Sequence, residues 1–547
     1  MNGRRRAACC LLLGIGICRV GAAAETLPPP GEAIYLRGVL RSGAPLEAVR
    51  GDTHMRSDGA AAACVKCHRR SGLGMKEGQI LIPPVTGQYL FHPLHAASDE
   101  APLPYVENSR TNRNGYTVDT LARAIREGLD SDGKTLGYLM PRYALGDADM
   151  AALIAYLESL DRTGIPGVTD KVLHFATIIT ADADPVKRAA MLDVMQHYFA
   201  DKNTFPFPPS PPMRSSGRTL YTKSMYMAQR RWQLHVWQLT GPASGWDAQL
   251  DSHLAAEPVM AAVSGLGGSN WMPVHRFCER ARLPCLFPNV EVPVVADQDF
   301  YTMYFSRGVL LEADLIAERI VAGPTSPPVK SVVQVFRAGD SGEAAARILE
   351  VSLKSRGIAV RSEVVQGGSG AALAAALRGA DGADALVLWL RPRDIAALGE
   401  PPAAPGTVYV SGLMGGQEQM PLPVSWRSRT LIAYPFDLPD RSRVRVNYPL
   451  KWFSIRQIPV TAEQVQLDTY LACGILAESV GHMADVFVPE YVVERAEEML
   501  DHRAMTGPYP RLSLSEGERF ASKGGFMVRL SNTEGQMIAD RDWTVPN

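Results

Sequence analysis

The chain has 547 residues, of which 46% are hydrophobic, so it is long enough to form more than one domain with a buried core. Lysine and arginine together number 56 against 57 aspartates and glutamates, which gives a net charge of −1. This balance provides no electrostatic reason to expect nucleic acid or an anionic membrane as a partner. Beyond the N-terminus no apolar run approaches the roughly 20 residues that span a bilayer, so no transmembrane segment is predicted.

The N-terminus has the layout of a secretory signal. Three arginines precede the apolar stretch ACCLLLGIGIC, and an A-x-A cleavage signature ends at Ala24. This pattern predicts that residues 1–24 are a signal peptide and that the mature protein is periplasmic. Lipoprotein-type cleavage before Cys18 is the alternative, although the isoleucine before it is a poor residue at such a site.

A proline-rich link is followed by the stretch AAACVKCHRR, which contains Cys64, Cys67 and His68 in the pattern C-x-x-C-H. This pattern is an attachment site for c-type haem: the two thiols add to the haem vinyl groups, and the histidine ligates the iron. With 8 cysteines and 11 histidines in the chain, chance would give roughly 0.002 such patterns. A zinc half-site would need a second cysteine pair, and none lies nearby in the sequence. Bacterial c-type haem is attached outside the cytoplasm, in agreement with the predicted export.

Residues 33–162 are predicted to form one loop-rich domain around this motif. The domain closes with the stretch DADMAALIAYLESL, in which apolar residues recur at helical spacing. The stretches CHRRSGLGMKEGQILIPPVTG and GLDSDGKTLGYLMPRY, together with the C-x-x-C-H motif, resemble class I c-type cytochromes over roughly residues 35–162. The sequence before the motif departs from that family, because it shows little of the helical patterning usual there.

The resemblance implies a small all-α cytochrome c domain with one covalent haem c. It implies that His68 is one axial ligand of the iron and that Met140, which is followed by a proline, is the other. It also implies that a proline carbonyl, of Pro83 or Pro84, hydrogen-bonds the imidazole of the axial histidine. Such a six-coordinate iron suits electron transfer.

Other assignments remain open around the haem. His92 and His95 are rival axial ligands, and a vacant sixth position would suit peroxidase or gas chemistry instead. Arg142 and Tyr143, which follow Met140 closely, are candidates to bind a haem propionate; the alternative is that both are surface residues.

From residue 171 the pattern changes to alternating apolar runs and amphipathic helices. VLHFATIIT predicts a strand and DPVKRAAMLDVMQHYFADK a helix, and similar pairs recur along the chain. This alternation predicts parallel sheets with helices on both faces, and its length predicts two lobes. A proline-rich stretch at 205–213 is expected to interrupt the first lobe as a loop.

Several of these stretches resemble type I periplasmic substrate-binding proteins, the leucine/branched-chain amino-acid class of ABC importers. They are PVMAAVSGLGGSNWMPVHRFCERARLPCLFP, YFSRGVLLEADLIAERI and VQLDTYLACGILAESVGHM. The resemblance covers 171–531 and leaves 532–547 as a C-terminal tail. The expected fold is therefore multidomain: a cytochrome c domain followed by a two-lobed α/β periplasmic-binding-protein-like type I fold.

In that family a small-molecule ligand lies between the lobes, on loops at strand ends and helix starts. By position, the resemblance implies the following cleft residues, for each of which an ordinary loop is the alternative: Gly268, Ser269, Asn270, Asp340, Ser341, Arg391 and Met414. Trp246 is expected either to stack on a ligand or to fill the cleft. The sequence does not identify the solute.

Cys278 and Cys285 flank the stretch ERARLP, and a short-loop disulfide and two buried thiols fit this spacing equally well.

The haem motif is the sharpest chemical signal in the chain, while no nucleophile–base, zinc-protease or P-loop motif is present. We therefore expect an electron carrier rather than an enzyme, with a solute-binding-like module that docks the redox partner or senses a ligand. The fusion resembles components of quinoprotein alcohol-oxidation systems, which implies a periplasmic quinoprotein dehydrogenase as the redox partner. The alternative is an ABC-type solute-binding protein with an accessory haem domain.

Overall fold

The structure of the chain is a computed structural model. It describes residues 28–50, 55–78, 80–95, 112–161, 164–204, 230–296, 299–323, 328–367, 370–402, 406–481, 483, 486–502, 507–514, 517–531 and 536–546. The predicted signal peptide and the proline-rich stretch at 205–213 lie outside the described residues. The chain divides into two compact units, Met1–Lys66 with Tyr116–Glu158 and Cys67–Gly115 with Ser159–Asn547.

The first unit combines helices with a small antiparallel sheet. Its helices are Pro30–Arg37, Val118–Glu127 and Asp147–Ser159, and its sheet has the strand order Arg56–Asp58, Glu47–Val49 and Arg142–Tyr143. The predicted closing helix is confirmed as Asp147–Ser159, and its apolar stripe is buried as the spacing requires.

Helix Pro30–Arg37 was not predicted from the sequence. It begins in the proline-rich link, where proline fits the first helical turn, and it ends at Gly38 in the left-handed conformation. A Cβ on Gly31 would lie 2.1 Å from the carbonyl oxygen of Ala152, so only glycine lets this helix approach the closing helix so closely. The rings of Tyr35 and Tyr156 pack 5.2 Å apart beside this contact.

The part of the second unit that follows the haem motif is made of short elements. They are helix Val65–His68, which begins in the first unit, the hairpin Met75–Glu77 and Ile80–Ile82, helix Gly87–Phe91, and the paired strands Leu94–His95 and Asn112–Arg113. We call residues 67–95 the post-motif segment. Leu73 of this segment is fully buried in the largest apolar core of the unit.

The remainder of the second unit forms two α/β lobes. The first lobe has a parallel six-stranded sheet in the order Phe520–Ser522, Thr302–Ser306, Cys285–Leu286, Ala261–Val263, Val172–Ile179 and Arg231–Gln238. Its helices are Pro185–Thr204, Trp246–Ala256, Met272–Ala281, Pro439–Ile455, Glu463–Gly481 and Pro489–His502. The inner strands are mostly apolar because helices cover both faces of a parallel sheet, whereas the edge strand Arg231–Gln238 carries polar residues.

The second lobe has a seven-stranded sheet. Its strand order is Ala359–Val365, Ser331–Arg337, Ala385–Trp389, Thr407–Ser411, Thr430–Tyr434, Phe526–Leu530 and Met537–Ala539, and only the last two strands run antiparallel to their neighbours. Its helices are Val309–Val321, Ser341–Ser355, Gly370–Arg378, Pro392–Ala396, Gly412–Gly415 and Val424–Arg427. The segment predicted as a C-terminal tail thus supplies the edge strand of this sheet.

The chain passes between the lobes three times: after strand Thr302–Ser306, after strand Thr430–Tyr434, and between strands Phe520–Ser522 and Phe526–Leu530. The first passage leads into helix Val309–Val321, most of whose residues are buried. Among the described residues no helix is long and apolar enough to cross a membrane.

A disulfide joins Cys278, near the end of helix Met272–Ala281, to Cys285 at the start of the next strand. Replacing both residues with alanine is expected to lower the free energy of unfolding by about 2–3 kcal/mol, because the bridge closes a short loop and restricts the unfolded chain. Thermal unfolding with and without a reductant measures this. A wild-type midpoint that does not respond to the reductant would contradict the prediction; the double variant, which lacks the bridge, serves as the control.

Candidate functional site

His68 ends helix Val65–His68, directly after the two cysteines of the motif, and it is 7% exposed. Its Nδ1 lies 3.0 Å from the carbonyl oxygen of Pro83. Burial lowers the pKa of His68, an effect only partly offset by this hydrogen bond, so the neutral ring is favoured. With Nδ1–H donating to the carbonyl, the lone pair is on Nε2. This arrangement fits an iron ligand whose second nitrogen is oriented by a backbone carbonyl.

The backbone around His68 is held by a close approach of two strand ends. The N–H of Gly74 donates to the carbonyl of His68 at 3.1 Å. A Cβ on Gly74 would lie 2.0 Å from the carbonyl oxygen of Ile82, and its φ of +82° suits glycine. This approach brings Pro83 to the imidazole. The structure assigns the hydrogen bond to Pro83, while Pro84 is buried beside it.

The other predicted haem residues lie as follows. Met140 is half-buried in the first unit, in the turn before strand Arg142–Tyr143. In that strand Arg142 is exposed and Tyr143 is buried. The rival ligand His92 is exposed at the end of helix Gly87–Phe91, and His95 lies in the strand that follows.

The post-motif segment is bonded to helix Pro489–His502 through a buried carboxylate. Both the N–H and the hydroxyl of Ser71 donate to Glu494, at 2.9 Å and 2.6 Å. Burial raises the pKa of Glu494 to about 7, against the opposing effects of the Arg69 charge and the Ser71 hydrogen bonds. A serine three residues after His68 is therefore tied to the first lobe.

Charged and aromatic contacts surround this bond. Arg69 forms an ion pair with Glu497, which also accepts a hydrogen bond from Arg519 at 2.7 Å. The guanidinium of Arg70 lies 4.4 Å from the ring centre of Phe300. These contacts were not predicted, because the partners are more than two hundred residues from the motif and no local pattern marks them.

Three predicted cleft residues, Arg391, Asp340 and Ser341, meet in the second lobe. Arg391 Nε donates to Asp340 Oδ2 at 2.9 Å. They meet around a residue that the sequence analysis missed, Glu291, in the loop after strand Cys285–Leu286 of the first lobe. Arg391 Nη1 and Nη2 donate to the two oxygens of Glu291 at 2.8 Å and 2.6 Å, and Ser341 Oγ donates at 2.7 Å.

Lys187, on helix Pro185–Thr204 of the first lobe, completes this cluster. Its Nζ lies 3.1 Å from Glu291 Oε1. Burial alone would raise the pKa of Glu291, but the hydrogen bonds of Arg391 and the charge of Lys187 outweigh it and hold the pKa far below the usual range. Glu291 is therefore an ionised carboxylate that bridges the lobes.

The predicted cleft residues of the first lobe also bond to other side chains of the chain. The N–H and hydroxyl of Ser269 donate to Asp182 Oδ2 at 2.8 Å and 2.9 Å, and the N–H of Gly268 donates to Thr180 Oγ1 at 2.9 Å. A Cβ on Gly268 would lie 2.3 Å from the Asp182 carboxylate. Asn270 Oδ1 accepts the N–H of Met272, the first residue of the following helix, at 3.1 Å.

The last two predicted cleft residues lie in the cores of the lobes. Trp246 is 3% exposed, packs in the first lobe and donates its Nε1–H to the carbonyl of Gly241 at 3.2 Å. Met414 is 1% exposed in the core of the second lobe.

A cavity of about 330 Å³ lies next to the Glu291 cluster. It is bounded by residues of the first lobe and by the helices Val309–Val321 and Ser341–Ser355, with which the second lobe begins. Its walls are mostly apolar and include Ser269, Trp271, Val292, Arg307, Leu310 and Ile348. This volume accommodates a small organic molecule.

The chain was compared with known families and structures. Residues 57–161 match the cytochrome c family model. Among solved structures, a possible leucine/isoleucine/valine-binding protein from Rhodopirellula baltica is similar with a TM-score of 0.51 and 12% identity, over 69% of this chain and 98% of that one. An ABC transporter substrate-binding protein from Sphaerobacter thermophilus gives a TM-score of 0.49 and 12% identity, over 69% and 98% of the two chains. An extracellular ligand-binding receptor from Verminephrobacter eiseniae gives a TM-score of 0.47 and 15% identity, over 67% and 99%.

No curated protein matched the chain. The chain therefore carries a cytochrome c domain followed by a periplasmic-binding-protein-like α/β fold of type I. The cytochrome c family implies haem c, and the residues around His68 fit that group.

Proposed function

We propose that this chain is an exported mono-haem c-type cytochrome that carries electrons in the periplasm, and that its two lobes form a docking module. The observation that carries this proposal is the C-x-x-C-H motif within a cytochrome c domain, with His68 oriented by Pro83. Haem c supplies one-electron transfer, and the chain's task is to hold the iron ligands and keep water away.

The residues are assigned as follows. Cys64 and Cys67 attach the haem covalently, His68 ligates the iron through Nε2, and Pro83 fixes the orientation of that imidazole. Met140 is the second axial ligand by resemblance to class I cytochromes. The chain itself performs no bond-making catalysis in this proposal. Its redox partner is a periplasmic dehydrogenase, with the quinoprotein class as the leading candidate.

A second function, ligand sensing by a solute-binding protein with an accessory haem, is favoured by the 330 Å³ cavity. A redox titration of the haem-loaded protein separates the two functions when it is run with and without amino acids, short acids and alcohols. A reversible one-electron transition whose potential ignores every compound supports the carrier with a docking module. A ligand-dependent potential supports sensing instead.

Met140→Ala tests the axial assignment. The variant is expected to keep its haem but to lose the sulfur–iron absorption, to bind cyanide or imidazole at the iron and to have a lower potential, since methionine ligation raises it. Met55→Ala is the matched control, because Met55 is an exposed methionine of the same unit (55% exposed). Spectra of Met140→Ala identical to the wild type would overturn the assignment.

A further inference from the structure

The carboxylate of Glu291 occupies an anion site that the second lobe builds from Arg391 and Ser341. We propose that Glu291 is a built-in ligand, which holds the two lobes together and denies this site to free amino acids and carboxylic acids. This inference does not rest on the haem-carrying function. It assigns Glu291 as the residue that determines which solutes the lobes exclude.

Every acceptor position of the Glu291 carboxylate is used. Oε1 accepts from Arg391 Nη1 at 2.8 Å and from Lys187 Nζ at 3.1 Å, and Oε2 accepts from Arg391 Nη2 at 2.6 Å and from Ser341 Oγ at 2.7 Å. A two-pronged arginine contact of this kind is how a protein holds the carboxylate of a small molecule. Ser341 is also the first residue of its helix, where a negative charge is favoured.

The charges of the cluster are balanced without a solute. Arg391 and Lys187 supply two positive charges, and Glu291 and Asp340 supply two negative charges. A free carboxylate entering the cluster would add a third negative charge with no unpaired cation to receive it. Since the side chains of Glu291 and Arg391 are 22% and 32% exposed, water screens that repulsion only partly.

In the first lobe, too, side chains of the chain itself accept hydrogen bonds from the predicted cleft residues. Gly268 and Ser269 are two of the residues that the sequence predicts to line the ligand cleft. Asp182 accepts the N–H and the hydroxyl of Ser269, and Thr180 accepts the N–H of Gly268. Both lobes thus satisfy their anion-binding groups with side chains of the chain itself.

Glu291 also connects to the passage between the lobes through its backbone. Its carbonyl accepts the N–H of Val309 at 3.0 Å, and Val309 is the first residue of helix Val309–Val321, which begins the second lobe. The residue therefore bonds by its side chain to the second lobe and by its backbone to the chain that links the two. Loss of the side chain is expected to loosen the contact between the lobes, because it leaves Lys187 without its carboxylate partner and Arg391 paired with Asp340 alone.

The test uses the full-length, haem-loaded protein and sodium acetate as the probe. Glu291→Ala removes the carboxylate and leaves space for acetate beside Arg391 and Lys187. Acetate is expected to raise the unfolding temperature of the variant and to bind it at least about tenfold more tightly than the wild type in calorimetry. Sodium chloride at equal ionic strength serves as the salt control. The matched protein control is Glu350→Ala, which removes a carboxylate from a surface pair with Lys354 on the helix Ser341–Ser355.

Acetate binding to the wild type and to Glu291→Ala with equal affinity would overturn the proposal. If Glu291→Ala does not fold, the wild type alone decides: calorimetry with amino acids and short carboxylic acids is expected to show no binding, and binding of any of them that Arg391→Met abolishes overturns the proposal. The absorption spectrum, read in parallel, reports haem attachment separately, so failure of the carrier function cannot be mistaken for failure of this inference.

Discussion

A double variant, Cys64→Ala with Cys67→Ala, is expected to lose covalent haem completely. The two thiols are the only groups in the C-x-x-C-H motif that form thioether bonds, so a haem bound by His68 alone would be released on denaturation. Haem staining of a denaturing gel measures the loss, and a pyridine haemochrome assay of the wild type is expected to give one haem per chain.

Cys473→Ala is the matched control for the double variant. Cys473 is buried in helix Glu463–Gly481, where burial raises the pKa of its thiol to about 12, so it is a poor nucleophile. This control is expected to retain its haem in full. Haem that stays bound to the denatured double variant would refute the attachment assignment. Loss of the haem stain from Cys473→Ala would refute it as well. His68→Ala adds a distinct result, since it leaves both thioethers possible but removes one iron ligand.

Local sequence patterns predicted the parts of the molecule whose physics is local. The C-x-x-C-H motif and the closing helix Asp147–Ser159 each depend on residues within a few turns of one another. Strand–helix alternation likewise predicted parallel sheets in two lobes, because each apolar run needs cover on both faces. Helix Pro30–Arg37 is not predicted by the sequence, because prolines are typical of a link, although proline is also favoured at a helix start.

The long-range contacts of the lobes were not predictable in this way. Glu291 and Arg391 are 100 residues apart, and Ser71 and Glu494 are 423 apart. In the sequence each glutamate looks like an ordinary charged residue of a loop or a helix, and only the fold shows that it bonds to a distant partner. For Trp246 the sequence predicted a ligand contact or a side chain that fills the cleft, whereas the structure buries it in the core of the first lobe.

The bond between Glu494 and the post-motif segment makes the second large prediction. Glu494→Ala is expected to lower the free energy of unfolding by about 2–4 kcal/mol, because it leaves the N–H and hydroxyl of Ser71 buried without an acceptor and opens a small cavity. Glu494→Gln retains an oxygen that accepts the Ser71 N–H, and its amide N–H can donate to the Ser71 hydroxyl. This variant is therefore expected to lose much less free energy of unfolding. Denaturant unfolding of the haem-loaded protein at pH 5 measures both.

The pH dependence of the same variants tests the burial of Glu494. Its pKa is raised to about 7 by burial, above the value of roughly 4.3 for a glutamate in an unfolded chain. Between these values the folded protein holds a proton that the unfolded chain has released, so rising pH destabilises the wild type across this window, and the full loss is reached above pH 7. A glutamine does not titrate, so Glu494→Gln does not lose stability in this way as the pH rises.

Glu494→Gln is therefore expected to gain stability relative to the wild type between pH 5 and pH 8, by an amount on the order of 3 kcal/mol. Glu498→Gln on the same helix, where the side chain is partly exposed and pairs with Arg495, is the matched control and is expected to show no comparable gain. If the difference between Glu494→Gln and the wild type stays constant with pH, Glu494 is ionised throughout. The post-motif segment would then be held by the attraction between the charges of Glu494 and Arg69. In that case Arg69→Gln would destabilise the protein as much as Glu494→Ala.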